Sequence, residues 1–208
     1  LVQRISNLSR NYLAAMLPGL MGGNWSEENS KETQNVINQK TTDLVLTQKQ
    51  KQTIRRTWKI YASNLKDNGI ELFRRFFQVH PAYIALFPAL KDLNATEQEA
   101  SLFVRAHSVT VLHSIMSMVD NIDDSKRLQA ILGRTARIHY GFGIRFVHFE
   151  VMLRHLLKAL EEKSGSEWDR SAQAAWLIFF NNMQVVISEK MNEMEQKRKA
   201  LEENHEQT

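Results

Sequence analysis

The chain contains no cysteine. Disulfides, thiolate metal sites and a cysteine nucleophile are therefore excluded, and any metal must be held by histidine or carboxylate. The absence suits a reducing compartment, and the expected location is cytoplasmic. Only three prolines and eight glycines interrupt 208 residues, and the stretches between them are rich in Leu, Ala, Glu, Lys and Gln. No stretch reads convincingly as a strand, so helix is expected nearly everywhere. No apolar run approaches the roughly 18 residues that a membrane span needs. A chain of this length that is 43% hydrophobic can bury one ordinary core and still carry appendages. It begins with Leu1 rather than Met, as expected of a piece of something longer, which leaves upstream targeting signals out of view.

Charge of one sign is also scarce. The formal net charge is +4; residues 1–46 balance four basic against four acidic side chains, and residues 188–208 carry four against six. The surplus of +6 that remains lies between them. A surplus that small argues for no nucleic-acid partner.

What is present is organised helically. Leu1, Ile5, Leu8, Tyr12, Met16 and Leu20 recur at near-helical spacing before Gly22-Gly23, with Arg4 and Arg10 as the charged residues of the first 26. Two charges make a poor membrane anchor, so residues 1–26 read as an extension packing on its own domain or on a partner, with membrane contact the alternative. Residues 24–46 read as linker. Thr47 supplies an N-cap, and Ile54, Trp58, Tyr61 and Leu65 form a stripe that Asn68-Gly69 is expected to break. A second helix carries Ile70, Leu72, Phe73, Phe76 and Phe77 until Pro81 forces a turn. Residues 88–95 read as loop. Thr96-x-x-Glu99 then resembles a capping box for a helix running to about Val119. After a break at Asn121 to Asp124 comes a helix over about 125–140, ended by Gly141 and Gly143, then an amphipathic segment from Arg145 to Lys163. The last helix is expected from about Glu167, with Trp176, Phe179, Phe180, Met183, Val186 and Ile187 inward. From Ser188 the composition turns charged, which reads as a solvated helix extension, with a short coiled-coil contact as the alternative.

Two of the seven histidines stand out. Val104, His107, Val111 and Ile115 step by three or four, which places His107 on an apolar face. His139 follows Leu128, Ile131, Leu132 and Thr135 at helical steps and precedes the glycine pair, so its ring can emerge at the helix end. Neutral imidazole is a suitable metal ligand. His80, His113, His148, His155 and His205 lack this paired context and read as surface or local hydrogen-bonding residues.

Trp58 in the first helix, Pro81 at the second turn, Phe87 six residues on, His107 twenty residues later and His139 in a later helix resemble the ordered marks of the globin family. The segments FFQVHPAYIALF, RAHSVTVL and LGRTARIHYGFG carry the likeness, which covers residues 47–187. It implies an all-α globin fold, a three-over-three helical sandwich, flanked by an N-terminal extension and linker (1–46) and a charged C-terminal tail (188–208). The implied cofactor is haem b, iron protoporphyrin IX, with His139 as proximal and His107 as distal iron ligand. Phe87 would stack on the haem, and Phe73, Phe77 and Val111 would line its distal side. Some globins carry at the position of Phe73 a tyrosine that donates to bound oxygen, so His107 is the clear distal donor.

The 32 residues between the histidines, the LGR before His139 and Gly143 after it look more like neuroglobin and other invertebrate neuronal globins, which are commonly six-coordinate. Thr110 stands where neuroglobin carries a lysine, which leaves Arg105 and Arg145 as candidate propionate partners. The resemblance thus implies a bis-histidyl redox or gas sensor or electron-transfer protein. Its ligands would be oxygen, carbon monoxide and nitric oxide, and a redox or signalling protein its partner. A five-coordinate oxygen store or carrier is the alternative. No enzymatic role is expected beyond secondary nitric-oxide or nitrite chemistry.

Overall fold

Thr47 opens the first helix as its sequence requires. Its Oγ1 accepts from the Gln50 backbone N–H at 3.2 Å while its own N–H donates to Gln50 Oε1 at 2.8 Å, closing a capping box. The computed structural model describes residues 46–87, 90 and 102–206. Helix α1 (Gln48–Ala62) leads to α2 (Leu65–Val79), a 3-10 turn (Pro81–Leu86), α3 (Leu102–Asp120), α4 (Ser125–Gly141), α5 (Phe146–Ser164), a second 3-10 turn (Gly165–Glu167) and α6 (Arg170–Glu206). No strand occurs among the described residues. The amphipathic segment 1–26, the linker 24–46, the loop at 88–95 and the Thr96–Glu99 box lie outside the described residues, apart from Leu46 and Leu90, which are both buried.

One expected boundary moves. The first break falls at Ser63 and Asn64, and Asn68-Gly69 lies inside α2. Asn68 is buried: its Nδ2 donates to the Tyr61 carbonyl at 2.6 Å, and Tyr61 Oη donates back to the Asn68 carbonyl at 3.2 Å. Gly69 is small because α3 passes close by. A Cβ there would stand 3.2 Å from Leu112 Cδ1 and 3.4 Å from the Ser108 backbone. The pair that looked like a breaker is a helix contact, with the amide joining two helices and the glycine admitting a third. The last helix also starts a little later than expected, at Arg170, because Asp169 caps it by accepting from the Ala172 N–H at 2.7 Å.

α2 packs along α3, α4 along α6, and α1 and α5 both against α6. At the centre Trp176 is fully buried against Trp58, with ring centroids 6.2 Å apart. Its Nε1–H donates to Thr57 Oγ1 at 2.8 Å, and Thr57 passes a hydrogen bond to the Thr53 carbonyl at 2.9 Å. The neighbouring Trp58 differs, for its buried Nε1–H finds no acceptor among the described residues. A second apolar group, built on Phe73, Phe76, Phe77, Leu90 and Val104, gathers where α2, α3 and the first 3-10 turn meet.

α3 is the one described helix whose length and composition would allow a membrane crossing, contrary to the expectation that no segment reaches that length. Its Val104, Leu112, Ile115, Met118 and Val119 are buried against the other helices, while Leu102 and Phe103 at its start are exposed. α6 runs unbroken for 37 residues, roughly 55 Å at 1.5 Å per residue. The change of composition at Ser188 is not a change of backbone: Met191 is buried and Met194 packs on the core.

Candidate functional site

The end of α4 sets the first imidazole. Gly143, at φ +79°, takes a conformation that side chains rarely adopt, and the chain reverses there. The N–H groups of Phe142 and Ile144 both donate to the His139 carbonyl, at 3.1 and 3.0 Å. One turn back, the Thr135 carbonyl lies 2.9 Å from His139 Nδ1. A carbonyl can only accept, so Nδ1 carries the proton and Nε2 presents a lone pair. Burial pushes the His139 pKa down, and the Thr135 hydrogen bond opposes it in part. The ring of Phe149 leans against it, centroids 5.0 Å apart at 61°.

The second imidazole sits on α3. His107 meets Phe73 and Phe87 edge-on, at 5.3 and 5.4 Å, and stacks parallel to Phe103 at 5.8 Å. Among the described residues it makes no hydrogen bond. Its pKa is pushed down to about 4, chiefly by burial and then by the charge that His139 would carry. The two rings are near enough for the charge of one to act on the other. Both are neutral at pH 7, the state in which imidazole binds a metal.

The expected residues therefore come together. Phe73 and Phe87 touch His107, Phe77 lies 5.2 Å from Phe87, and half-buried Val111 packs on the same aromatic group. Two contacts escaped the sequence reading. Phe103 stands one turn before His107, at a spacing that could have revealed it, whereas Phe149 lies in the next helix after His139 and leaves no local signal. Arg105 is exposed, and Arg145 is turned back on the chain, its guanidinium 4.3 Å over the Tyr140 ring.

This donor set decides what can bind. Among the described residues no group of three or more His, Asp or Glu side chains could cage a metal ion. Two neutral imidazoles, each against aromatic rings, suit a metal that brings its own equatorial ligands, and a haem does so. The profile of the globin family matches residues 70–206, two thirds of the chain. The chain belongs to the globin family.

Globins bind haem, and the residues of this globin fit that group. It is 29% identical to neuroglobin of Danio rerio over 144 residues, 69% of this chain and 89% of that one. With the globin-2 B chain of Anadara inaequivalvis it shares 26% over 127 residues, 61% and 83% of the two chains. The globin fold is matched by the crystal structure of a hexacoordinated heme protein from an anhydrobiotic tardigrade, with TM-score 0.66, 22% identity, and coverage of 73% of this chain and 98% of that one.

The remaining described histidines divide. His148 Nδ1 accepts from the Arg145 N–H at 2.9 Å, and His113 is exposed, both as expected. His155 departs from its surface reading. It is half-buried between His80, at 5.3 Å, and Phe76, at 5.6 Å, and its pKa falls to about 4 through burial first and neighbouring cations second.

Proposed function

We propose that this globin holds haem b between His139 as proximal and His107 as distal ligand, and serves as a redox or gas sensor or electron-transfer protein. The observation that carries this reading is the state of the two imidazoles: His139 has Nδ1 committed to Thr135, and His107, set among Phe73, Phe87 and Phe103, has no hydrogen-bond partner among the described residues. Haem iron would supply a one-electron couple and a binding position for oxygen, carbon monoxide or nitric oxide. The chain supplies the rest. Thr135 holds the His139 tautomer and raises its basicity, and Phe73, Phe87 and Phe103 surround the His107 ring. The tardigrade protein of the same fold is named hexacoordinated, which supports six-coordination here. A cytoplasmic location and a redox or signalling protein as partner belong to the same proposal.

The test is the visible spectrum of the ferrous protein without oxygen, recorded for the wild type and for His107→Leu. Sharp, split low-spin bands that give way to a broad high-spin band in the variant, with faster carbon monoxide binding, are expected. A broad high-spin band already in the wild type would overturn the bis-histidyl assignment and point to a five-coordinate oxygen store or carrier.

A further inference from the structure

The residue next to His139 is tied to a part of the chain 55 positions away. Tyr140 Oη donates to Glu195 Oε2 at 2.6 Å, near the end of α6. Arg198 Nη2 donates to the other carboxylate oxygen, Glu195 Oε1, at 2.7 Å, and its Nη1 reaches Glu202 one turn further on. On the opposite side the Arg145 guanidinium covers the Tyr140 ring at 4.3 Å and donates to the Tyr140 and Ile144 carbonyls at 3.4 and 3.2 Å. The Tyr140 ring itself packs on the core. Contact between the two helices extends back along α4 to Gly133, where a Cβ would lie 3.8 Å from Lys190 Cγ.

These contacts have a direction. Tyr140 follows a residue whose carbonyl accepts two hydrogen bonds from the turn after it, so a shift of the Tyr140 backbone would be shared by the end of α4. A neutral phenol donating to an ionised carboxylate makes a short, directional bond. Glu195 is held ionised, at about 2, by Arg198 first and Tyr140 second. The composition break at Ser188 hides this, because Glu195 and Arg198 read as two charges in a solvated tail.

We propose that Tyr140 and Glu195 are positioning residues for the proximal histidine, so that the last turns of α6 set the orientation of His139 toward the haem. Neither touches the haem; both act through the backbone of residues 139–144. The coupling is reciprocal, and a displacement of His139 is felt at Glu195. This inference rests on His139 being the proximal ligand.

The experiment uses the full chain reconstituted with haem, as Tyr140→Phe, Glu195→Gln and the double variant, each also in a His107→Leu background that leaves the ferrous iron five-coordinate. Two readouts are taken: the rate of haem loss to an apomyoglobin acceptor, and the iron–histidine stretching band in resonance Raman. Either single variant is expected to speed haem loss about fivefold and to shift or broaden the band, and the double variant to do no more than the worse single. Thermal unfolding of the haem-free proteins controls for general destabilisation, because a loss of stability alone leaves the band where it is. An unmoved band in all three variants, or haem-loss rates that multiply in the double variant, overturns the proposal. His139→Ala separates the two levels: retention of haem there refutes the ligand assignment itself, whereas its loss together with an unmoved band refutes only the role of Tyr140 and Glu195.

Discussion

His155→Gln should make the protein less sensitive to acid. In the folded chain the imidazole lies between Phe76 and His80, and its pKa stands at about 4 against an ordinary 6.5. Burial is the first cause; His80, Lys158 and Arg75 add to it. The folded value is below the unfolded one, so as pH falls the unfolded chain takes up the proton first. The neutral ring therefore costs no stability above pH 6.5, and stability is lost progressively between pH 6.5 and 4. A shift of this size corresponds to about 3 kcal/mol in full and about 2 kcal/mol at pH 5. Partial solvent access reduces the latter to about 1–2 kcal/mol. Glutamine has a similar reach and does not titrate. Urea unfolding of the haem-free wild type and variant at pH 7.5 and pH 5 isolates this group, since His80, His107 and His139 are common to both. The wild type should lose about 1–2 kcal/mol more than the variant between the two pH values. Equal losses would show that His155 is not desolvated as its surroundings require.

Other substitutions address the core and the site. Thr57→Val leaves the buried Trp176 N–H without its acceptor and should cost about 1–3 kcal/mol in urea unfolding at pH 7.5; a loss below about 0.5 kcal/mol would mean the indole finds another partner. His139→Ala should abolish stoichiometric haem retention on gel filtration, and full retention with an unchanged spectrum would remove His139 as the proximal ligand. Phe103→Ala removes the ring stacked on His107 and, if that stacking holds the imidazole in place, should raise the carbon monoxide association rate severalfold by stopped flow. An identical rate would leave Phe73 and Phe87 as the rings that matter.

Much of the fold was legible because its signals are local. The N-cap at Thr47, the turn at Pro81, the break before Ser125 and the glycine that ends α4 are each written in a few consecutive residues, and each lies where expected. The misreadings share a cause. Asn68-Gly69 carries the composition of a turn, yet inside α2 the amide bonds across to Tyr61 and the glycine admits α3. His155 looked like a surface or local hydrogen-bonding residue because it lacks the paired context of His107 and His139, while its neighbours in space are Phe76 and His80.

The site divides in the same way. Helical periodicity put His107 on an apolar face and His139 at a helix end, and the run from Thr135 to His139 contains the hydrogen bond that leaves Nε2 free, since a ring can reach the carbonyl four residues back without help from the fold. Periodicity says which residues share a face, but not which faces meet. That Phe73 and Phe87 meet His107, that Phe149 backs His139, and that Tyr140 is held by Glu195 all follow from how whole helices come against one another. These approaches are set by the packing of whole helix surfaces, to which each residue contributes little, so no short stretch of sequence contains them.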